Sequence, residues 1–370
     1  MFEAYKIAIK NSVTQSTWDD STMFFYVGIV IITILIGLVL KKSGNNKSLW
    51  GVMFLILSIP CCFRDTGDDT IVYRYVYNNA NVGYDPELEL LEPLYLAINR
   101  VLSTIISSDV WGIAIITGAC LFFIFSFLYQ NKRRIDVALS LTAFVCLYYF
   151  PIYNIMRIYL ATSIVLYFFK YFEKEEYKKF LIVVIVCGFI HYSTFSFFIP
   201  LIGYVLYKRK TWMFIIGVLS GIFMVFVALN VFMDYVMLLN RYATSLAGNE
   251  TQSLGLAQIV YHIPLFAILY AIKKAHAWDH TSDLLFVFST CSLLFAMLSY
   301  QIPIAGRLSV HMMVTYLYLV PNQLLKAKAN HFKYYPHIKI MYIILLLFKL
   351  HIYFLSGLAN DVIMPYKSIL

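Results

Sequence analysis

The chain has 370 residues, of which 61% are hydrophobic, 18% aromatic and only 13% charged, with a formal charge of +9. A soluble domain carries about 25% charged residues and 45–50% apolar ones, and one of this size would need far more charge to cover its surface. The composition excludes an ordinary cytosolic enzyme, a disordered chain and a secreted disulfide scaffold, and it points to an all-α, polytopic integral membrane protein.

The first twenty residues are polar and mixed, with Lys6, Lys10, Asp19 and Asp20, and they predict no cleavable signal peptide. Apolar runs then predict about twelve transmembrane or partly re-entrant helices, near 24–40, 48–63, 110–129, 136–153, 155–172, 179–190, 194–207, 211–233, 256–272, 282–301, 308–325 and 337–355. The chain 1–370 reads as one polytopic membrane domain with two notable outer loops, 64–109 and 234–255. Within the first loop, 88–107 is amphipathic, with Glu89, Glu92 and Arg100 among Leu, Tyr and Ile, and lies on the surface, re-enters or spans. The stretch 179–207 is too long for one span and short for two. Its polar middle, His191-Tyr192-Ser193-Thr194, predicts two short helices meeting in a turn inside the membrane, where irregular backbone must face protein or a wet cavity. The cysteines, Cys61, Cys62, Cys120, Cys146, Cys187 and Cys291, lie in or beside apolar runs without metal-ligand or redox spacing and read as small buried hydrophobes.

Lysine and arginine set the predicted sidedness. With the N-terminus outside, nineteen basic and six acidic residues fall inside, a balance of +13; ten basic and fourteen acidic fall outside, a balance of −4. The inner loops are mostly Lys, whereas the basic residues of the outer loops between spans are all Arg: Arg64, Arg74, Arg100, Arg157, Arg241 and Arg307. Lysine is a solvated point charge, while arginine presents a fork that matches phosphate and carboxylate. The asymmetry suggests an anionic ligand handled from outside.

Five constellations stand out on that outer side. The first is Arg64-Asp65-Thr66-Gly67-Asp68-Asp69-Thr70 with Tyr73, a tight turn that presents acids to a sugar or a metal, or a solvated connecting loop; its spacing is not that of a calcium loop. Glu87, Glu89 and Glu92 follow, and a Glu pressed against an apolar surface can serve as acid or base. The second is Asn154 with Arg157 beside Pro151, a phosphate clamp or a snorkelling arginine. The third is His191 with Tyr192 and Ser193, a catalytic or a structural histidine. The remaining histidines show no metal-like clustering. The last two are Arg241-Tyr242 in the loop 234–255 and Arg307 after Pro303 and Gly306. No Walker A sequence, no GxGxxG after a strand and no soluble domain for nucleotide chemistry is present. An ATP-driven pump or a transferase using nucleotide sugars in the cytosol is therefore disfavoured, and an activated substrate has to arrive on a lipid carrier.

The run Arg64-x-x-Gly67-x-Asp69-Thr70-x-x-Tyr73 resembles the signature of the EpsG family, Wzy-like membrane proteins of exopolysaccharide and O-antigen assembly. Glu92-Pro93, Asn154-x-x-Arg157 with Ala161, His191-x-Ser193, Arg307 with Tyr316, and the tail Pro365-Tyr366 fit the same family in order, from about residue 24 onward. Two positions depart from it. Ile158 stands where Gln is common, and Asp68 where Thr or another small residue is usual. The resemblance implies a C-type membrane glycosyltransferase of the bacterial cytoplasmic membrane, polymerising undecaprenyl-diphosphate-linked oligosaccharide units at the outer, periplasmic face.

On this reading Asp69, His191 and Glu92 are the candidate catalytic groups, acting as base or positioning group for an acceptor hydroxyl. Arg64, Asn154, Arg157, Arg241, Arg307 and Tyr73 are candidates for binding diphosphate and substrate, with Arg64 either anchoring the acid loop or holding a second diphosphate. No cofactor and no metal are expected, because permanent cations already surround the leaving group. The expected partners are the lipid-linked oligosaccharides, membrane lipid and a chain-length regulator, with no nucleic acid. A lipid-linked oligosaccharide flippase or transporter, and an O-antigen ligase or sugar acyltransferase, are the alternative classes.

Overall fold

The structure is a computed structural model that describes residues 20–83, 85–86, 88–220, 262–275, 278–301, 303–355 and 363–369. Most of these residues are helical; the only pairing of extended backbone among them is an isolated antiparallel bridge between Arg64 and Ser368. In chain order the helices are α1 Asp20–Lys42, α2 Lys47–Cys62, α3 Asp68–Asn79, α4 Pro93–Ile105, α5 Asp109–Asn131, α6 Val137–Phe144, α7 Met156–Tyr167, α8 Tyr177–Gly188, α9 Phe198–Arg209, α10 Thr211–Ser220, α11 Ile263–Lys274, α12 His280–Gln301, α13 Val320–Ala329 and α14 Tyr335–Leu355.

Among the described residues four helices are long and apolar enough to cross a membrane, over Ser21–Lys42, Asp109–Asn131, His280–Ser299 and Tyr335–Phe354. At 1.5 Å per residue the 23 residues of α5 reach about 35 Å, enough for a hydrocarbon core of about 30 Å. Shorter apolar helices occupy Lys47–Cys62, Val137–Tyr153 and Thr211–Ser220. Exposed apolar side chains such as Ile31, Leu35, Val52 and Leu55 cover the outer faces of α1 and α2, which suits contact with lipid rather than water.

Several segments that read as plain spans are broken. The helix begun by α6 widens into a π turn at Val145–Tyr149 and tightens into a 3-10 turn at Phe150–Tyr153. Residues 303–325 run through a 3-10 segment at Pro303–Met312 and a π turn at Thr315–Leu319 before α13. Each π turn ends two residues before a proline, Pro151 or Pro321. Proline lacks the amide and crowds the carbonyl four residues back, so the helix ahead of it must widen or bend. The amphipathic stretch 88–107 contains α4, opened by Pro93 at its first position; its 13 residues reach only about 20 Å, too short to cross. The stretch 179–207 is two short helices, α8 and α9, separated by a turn and a 3-10 segment at Tyr192–Phe197. The loop 234–255 lies outside the described residues.

The chain forms two compact units. The first comprises Met1–Phe168, Ile185–Tyr192 and Leu346–Leu370, and the second Phe169–Val184 and Ser193–Leu345. In the first unit α5 packs on α7, α2 and α3, and α1 packs on α6. Asp136 caps α6 by accepting from the Leu139 amide and takes an ion pair from Lys41 at 2.5 Å. In the second unit α12 is the centre, packed by α9, α11 and the 303–312 segment. Its lead residue Asp279 accepts from the Ser282 amide and Gln323 and pairs with Lys326. Within each unit, polar contacts join loops that the charge pattern assigns to the same side: Lys41 with Asp136, Glu173 with His280, Arg64 with Tyr153 and Glu92 with Arg157.

Candidate active site

The first unit gathers the motif residues around one corner, Ile152-Tyr153-Asn154, where the 3-10 turn after α6 ends. Arg64 is 2% exposed, and its guanidinium points into the protein. Nε donates to the Tyr153 carbonyl at 2.7 Å, the two Nη groups donate to the carbonyls of Cys61 and Ile152 and to the Thr117 hydroxyl, and the Tyr153 ring lies alongside. Gly67 presses its backbone on the same Tyr153 carbonyl. Its φ is +107°, and a Cβ there would collide with that oxygen, so the position needs glycine on both counts. Asn154 answers from the corner: its side-chain oxygen accepts from the Asp69 amide at 2.9 Å, and its carbonyl accepts from the Tyr73 hydroxyl at 2.9 Å. Burial pushes the Tyr73 phenol up, so it stays a donor. The Thr70 hydroxyl closes the first turn of α3 on the Thr66 carbonyl. Half-buried Asp69 sits in that first turn, where the helix N-terminus favours a carboxylate.

Glu92 precedes Pro93 at the start of α4 yet makes no side-chain cap. The free amides of the first turn, Leu94 and Tyr95, donate instead to the Phe189 carbonyl, just past the end of α8. That docking releases the Glu92 carboxylate, 7% exposed, for other partners. Oε2 pairs with an Arg157 Nη at 3.0 Å, while Oε1 accepts from the Tyr192 amide at 3.4 Å and lies 3.8 Å from His191 Nδ1. Arg157 opens α7, with the Tyr95 and Tyr73 rings 5.3 and 6.0 Å from its guanidinium carbon, and Asp69 bears on it electrostatically. The structure thus brings together Asp69, Tyr73, Glu92, Asn154, Arg157 and His191, with Arg64 as an inward anchor. Glu92 pairs with Arg157 beside the His191 imidazole, and the helix turn carrying Asp69 is tied to the same corner through Asn154, an arrangement able to bind an anionic or hydroxyl-bearing group and to move a proton.

Arg307 belongs to the second unit, exposed on the 303–312 segment. Arg241 lies outside the described residues. Arg74 pairs with Asp65 at 2.9 Å and Arg100 donates to the Ala80 carbonyl.

Some residues of these clusters escape a motif reading. Tyr95 and Asn99, both fully buried, share a face of α4 with Glu92 at spacing 92, 95, 99, a helical signal present in the sequence. In the second unit the fully buried His311 meets the Ser193 hydroxyl at 2.8 Å and packs on the Phe197 ring. The 118 residues separating the pair leave no local signal.

No curated protein and no solved structure matches the chain significantly. The EpsG family model matches residues 47–368, nearly the whole chain, and so spans every corner of the site described above. Membership suggests an enzyme of exopolysaccharide or O-antigen polymerase type. By this match the chain belongs to the EpsG family, a Wzy-like polymerase family.

Proposed function

We propose that the protein polymerises oligosaccharide repeat units carried on undecaprenyl diphosphate, at the outer face of a bacterial cytoplasmic membrane. The observation that carries this reading is the Glu92–Arg157–His191 cluster beside Asp69, all within one unit of a family member. In the proposed step an acceptor hydroxyl attacks the anomeric carbon of the donor glycan. A new C–O bond forms, the bond from that carbon to the phosphate oxygen breaks, and the electron pair leaves with the lipid diphosphate. The hydroxyl proton passes to His191 or Asp69.

The charge count assigns roles. Asp69 and Glu92 outnumber Arg157, so this cluster suits the acceptor hydroxyl and the positive charge developing at the anomeric carbon. Arg157 stabilises the near oxygen of the leaving group, while Arg307 and Arg241 are proposed as phosphate-binding arginines from the sequence pattern alone. Glu92, with both oxygens engaged, orients Arg157 and the His191 turn, and Arg64 anchors the acid loop. The test is a gel ladder of surface glycan from a deletion strain complemented with Asp69→Ala, His191→Ala, Arg157→Ala or Arg307→Ala. Single repeat units are expected where the wild type makes a ladder. Full ladders from all four variants refute the assignment, and a deletion strain with no unit attached to the surface lipid favours a ligase instead.

A further inference from the structure

A polymerase needs its acid loop held to within fractions of an ångström, and the loop 64–69 is gripped from two sides. One side is the Tyr153-Asn154 corner. The other is the segment 363–369, some three hundred residues away in sequence. There the Asp65 amide donates to the Lys367 carbonyl at 2.7 Å, and the Ile369 amide donates to the Phe63 carbonyl at 2.9 Å. The Thr66 hydroxyl, 8% exposed, accepts from the Lys367 amide at 2.8 Å and turns its own hydrogen toward the carbonyls of Lys367 and Pro365, at 3.4 and 3.5 Å. The segment is itself tied down. The Tyr366 amide donates to the Thr22 hydroxyl and the Tyr366 hydroxyl to the Pro60 carbonyl, and its ring lies tilted against Phe25 with centroids 4.7 Å apart. The Tyr26 hydroxyl donates to the Ile363 carbonyl at 2.6 Å.

We propose that this terminal segment is a clasp, and that Thr66 and Tyr366 are positioning residues that fix the loop carrying Asp69 through hydrogen bonds and ring contacts to residues 363–369. The inference rests on the polymerase reading above. Simple fold support needs only burial of the tail, which Ile363 and Met364 already provide. Thr66 adds something narrower: one hydroxyl, three residues before Asp69, that reads the tail backbone as both acceptor and donor. With the tail bond gone, the loop keeps its corner contacts but gains freedom on its outer side, and Asp69 spreads over several placements. A misplacement of about 1 Å at a reacting group costs on the order of a hundredfold in rate.

The test uses full-length protein in detergent, with undecaprenyl-diphosphate-linked repeat units extracted from a strain lacking the enzyme, and rates taken per monodisperse folded molecule. Thr66→Val keeps the shape and removes the hydroxyl. Its kcat is expected to fall tenfold to a hundredfold with KM for the lipid-linked unit within twofold of wild type. Thr66→Ser restores kcat, and Tyr366→Phe, which loses one bond, falls by a few-fold. Lys367→Ala leaves kcat unchanged, because that residue contributes only backbone groups to the clasp. Asp69→Ala is run alongside: activity in Asp69→Ala refutes the site reading itself. An inactive Asp69→Ala with wild-type kcat in Thr66→Val and Tyr366→Phe overturns the clasp alone, as does a Thr66→Val loss that Thr66→Ser does not rescue.

Discussion

Replacing Arg157 separates the job it has in the structure, holding Glu92, from the one it has in the proposed reaction, facing the leaving group. The gross attraction across the 3.0 Å contact is about 5–6 kcal/mol at an effective dielectric near 20, and desolvation offsets a large part of it. The arginine side chain is 23% exposed, so solvent softens the loss further. Arg157→Ala should therefore cost about 2–3 kcal/mol of stability, most of it from leaving the Glu92 carboxylate buried without its cation. Losing a donor to developing charge costs about a hundredfold to a thousandfold in rate, roughly 2.7–4 kcal/mol. Arg157→Lys keeps the charge opposite Glu92 but loses the planar fork and its paired donors. The Lys variant should be nearly as stable as wild type yet slower by about tenfold to a hundredfold. The double variant Glu92→Gln/Arg157→Ala should recover about 2 kcal/mol of the stability lost in Arg157→Ala and none of the rate. Thermal unfolding in detergent reads the first quantity and polymerisation of lipid-linked units the second. An Arg157→Ala protein that polymerises at the wild-type rate, or a double variant no more stable than Arg157→Ala, refutes the reasoning.

Gly67→Ala combines a left-handed backbone with a collision on the Tyr153 carbonyl, and should cost about 3 kcal/mol or more and abolish a monodisperse peak in size-exclusion chromatography. Gly118→Ala meets only the Cys62 sulfur at 3.7 Å and should behave as wild type in the same run. Burial opposes ionisation of Asp279, but bonds from Lys326, Gln323 and the Ser282 amide outweigh it and hold the carboxyl below its ordinary value. The stability this gives is complete above the ordinary carboxylate range and is lost as pH falls below it. The melting-temperature gap between wild type and Asp279→Asn should therefore close on acidification and stay constant from neutrality to pH 6. All six cysteines are buried, so a maleimide should label none of them before unfolding; labelling of the folded protein by mass spectrometry refutes that burial.

The sequence carries the elements better than their interruptions. Length and apolarity mark α1, α5, α12 and α14 directly, because a membrane span is a composition before it is a shape. The π and 3-10 turns before Pro151 and Pro321 depend on how a helix relieves one missing amide, which no apolar window reports. At the site, Asp69, Glu92, Arg157 and His191 are visible as polar residues in a chain poor in charge. Their distances are not visible, since each comes from a different segment. Glu92 is free to meet Arg157 only because the Phe189 carbonyl takes over the start of α4, a contact made across 94 residues of chain.

The arginines that the charge pattern assigns to the outer loops have a structural use as well. Arg64 gathers three backbone carbonyls, Arg100 takes one, and Arg74 joins α3 to the acid loop through Asp65. A lysine cannot do the work of Arg64, whose rigid fork must reach Cys61, Ile152 and Tyr153 together. Connecting strands of loop at a bundle end need donors in fixed directions, because buried carbonyls at helix ends have no helical partner. Arginine thus serves the scaffold and the ligand by the same geometry, and the two uses separate by burial. Arg64, sealed from solvent, is spent on the protein, whereas Arg157 is part-exposed and Arg307 exposed, so each keeps surface that a ligand can reach. Arg64→Lys and Arg157→Lys should accordingly fail in different assays: the first in folding yield, the second in turnover by a well-folded protein. Equal loss of folded protein in both collapses the distinction.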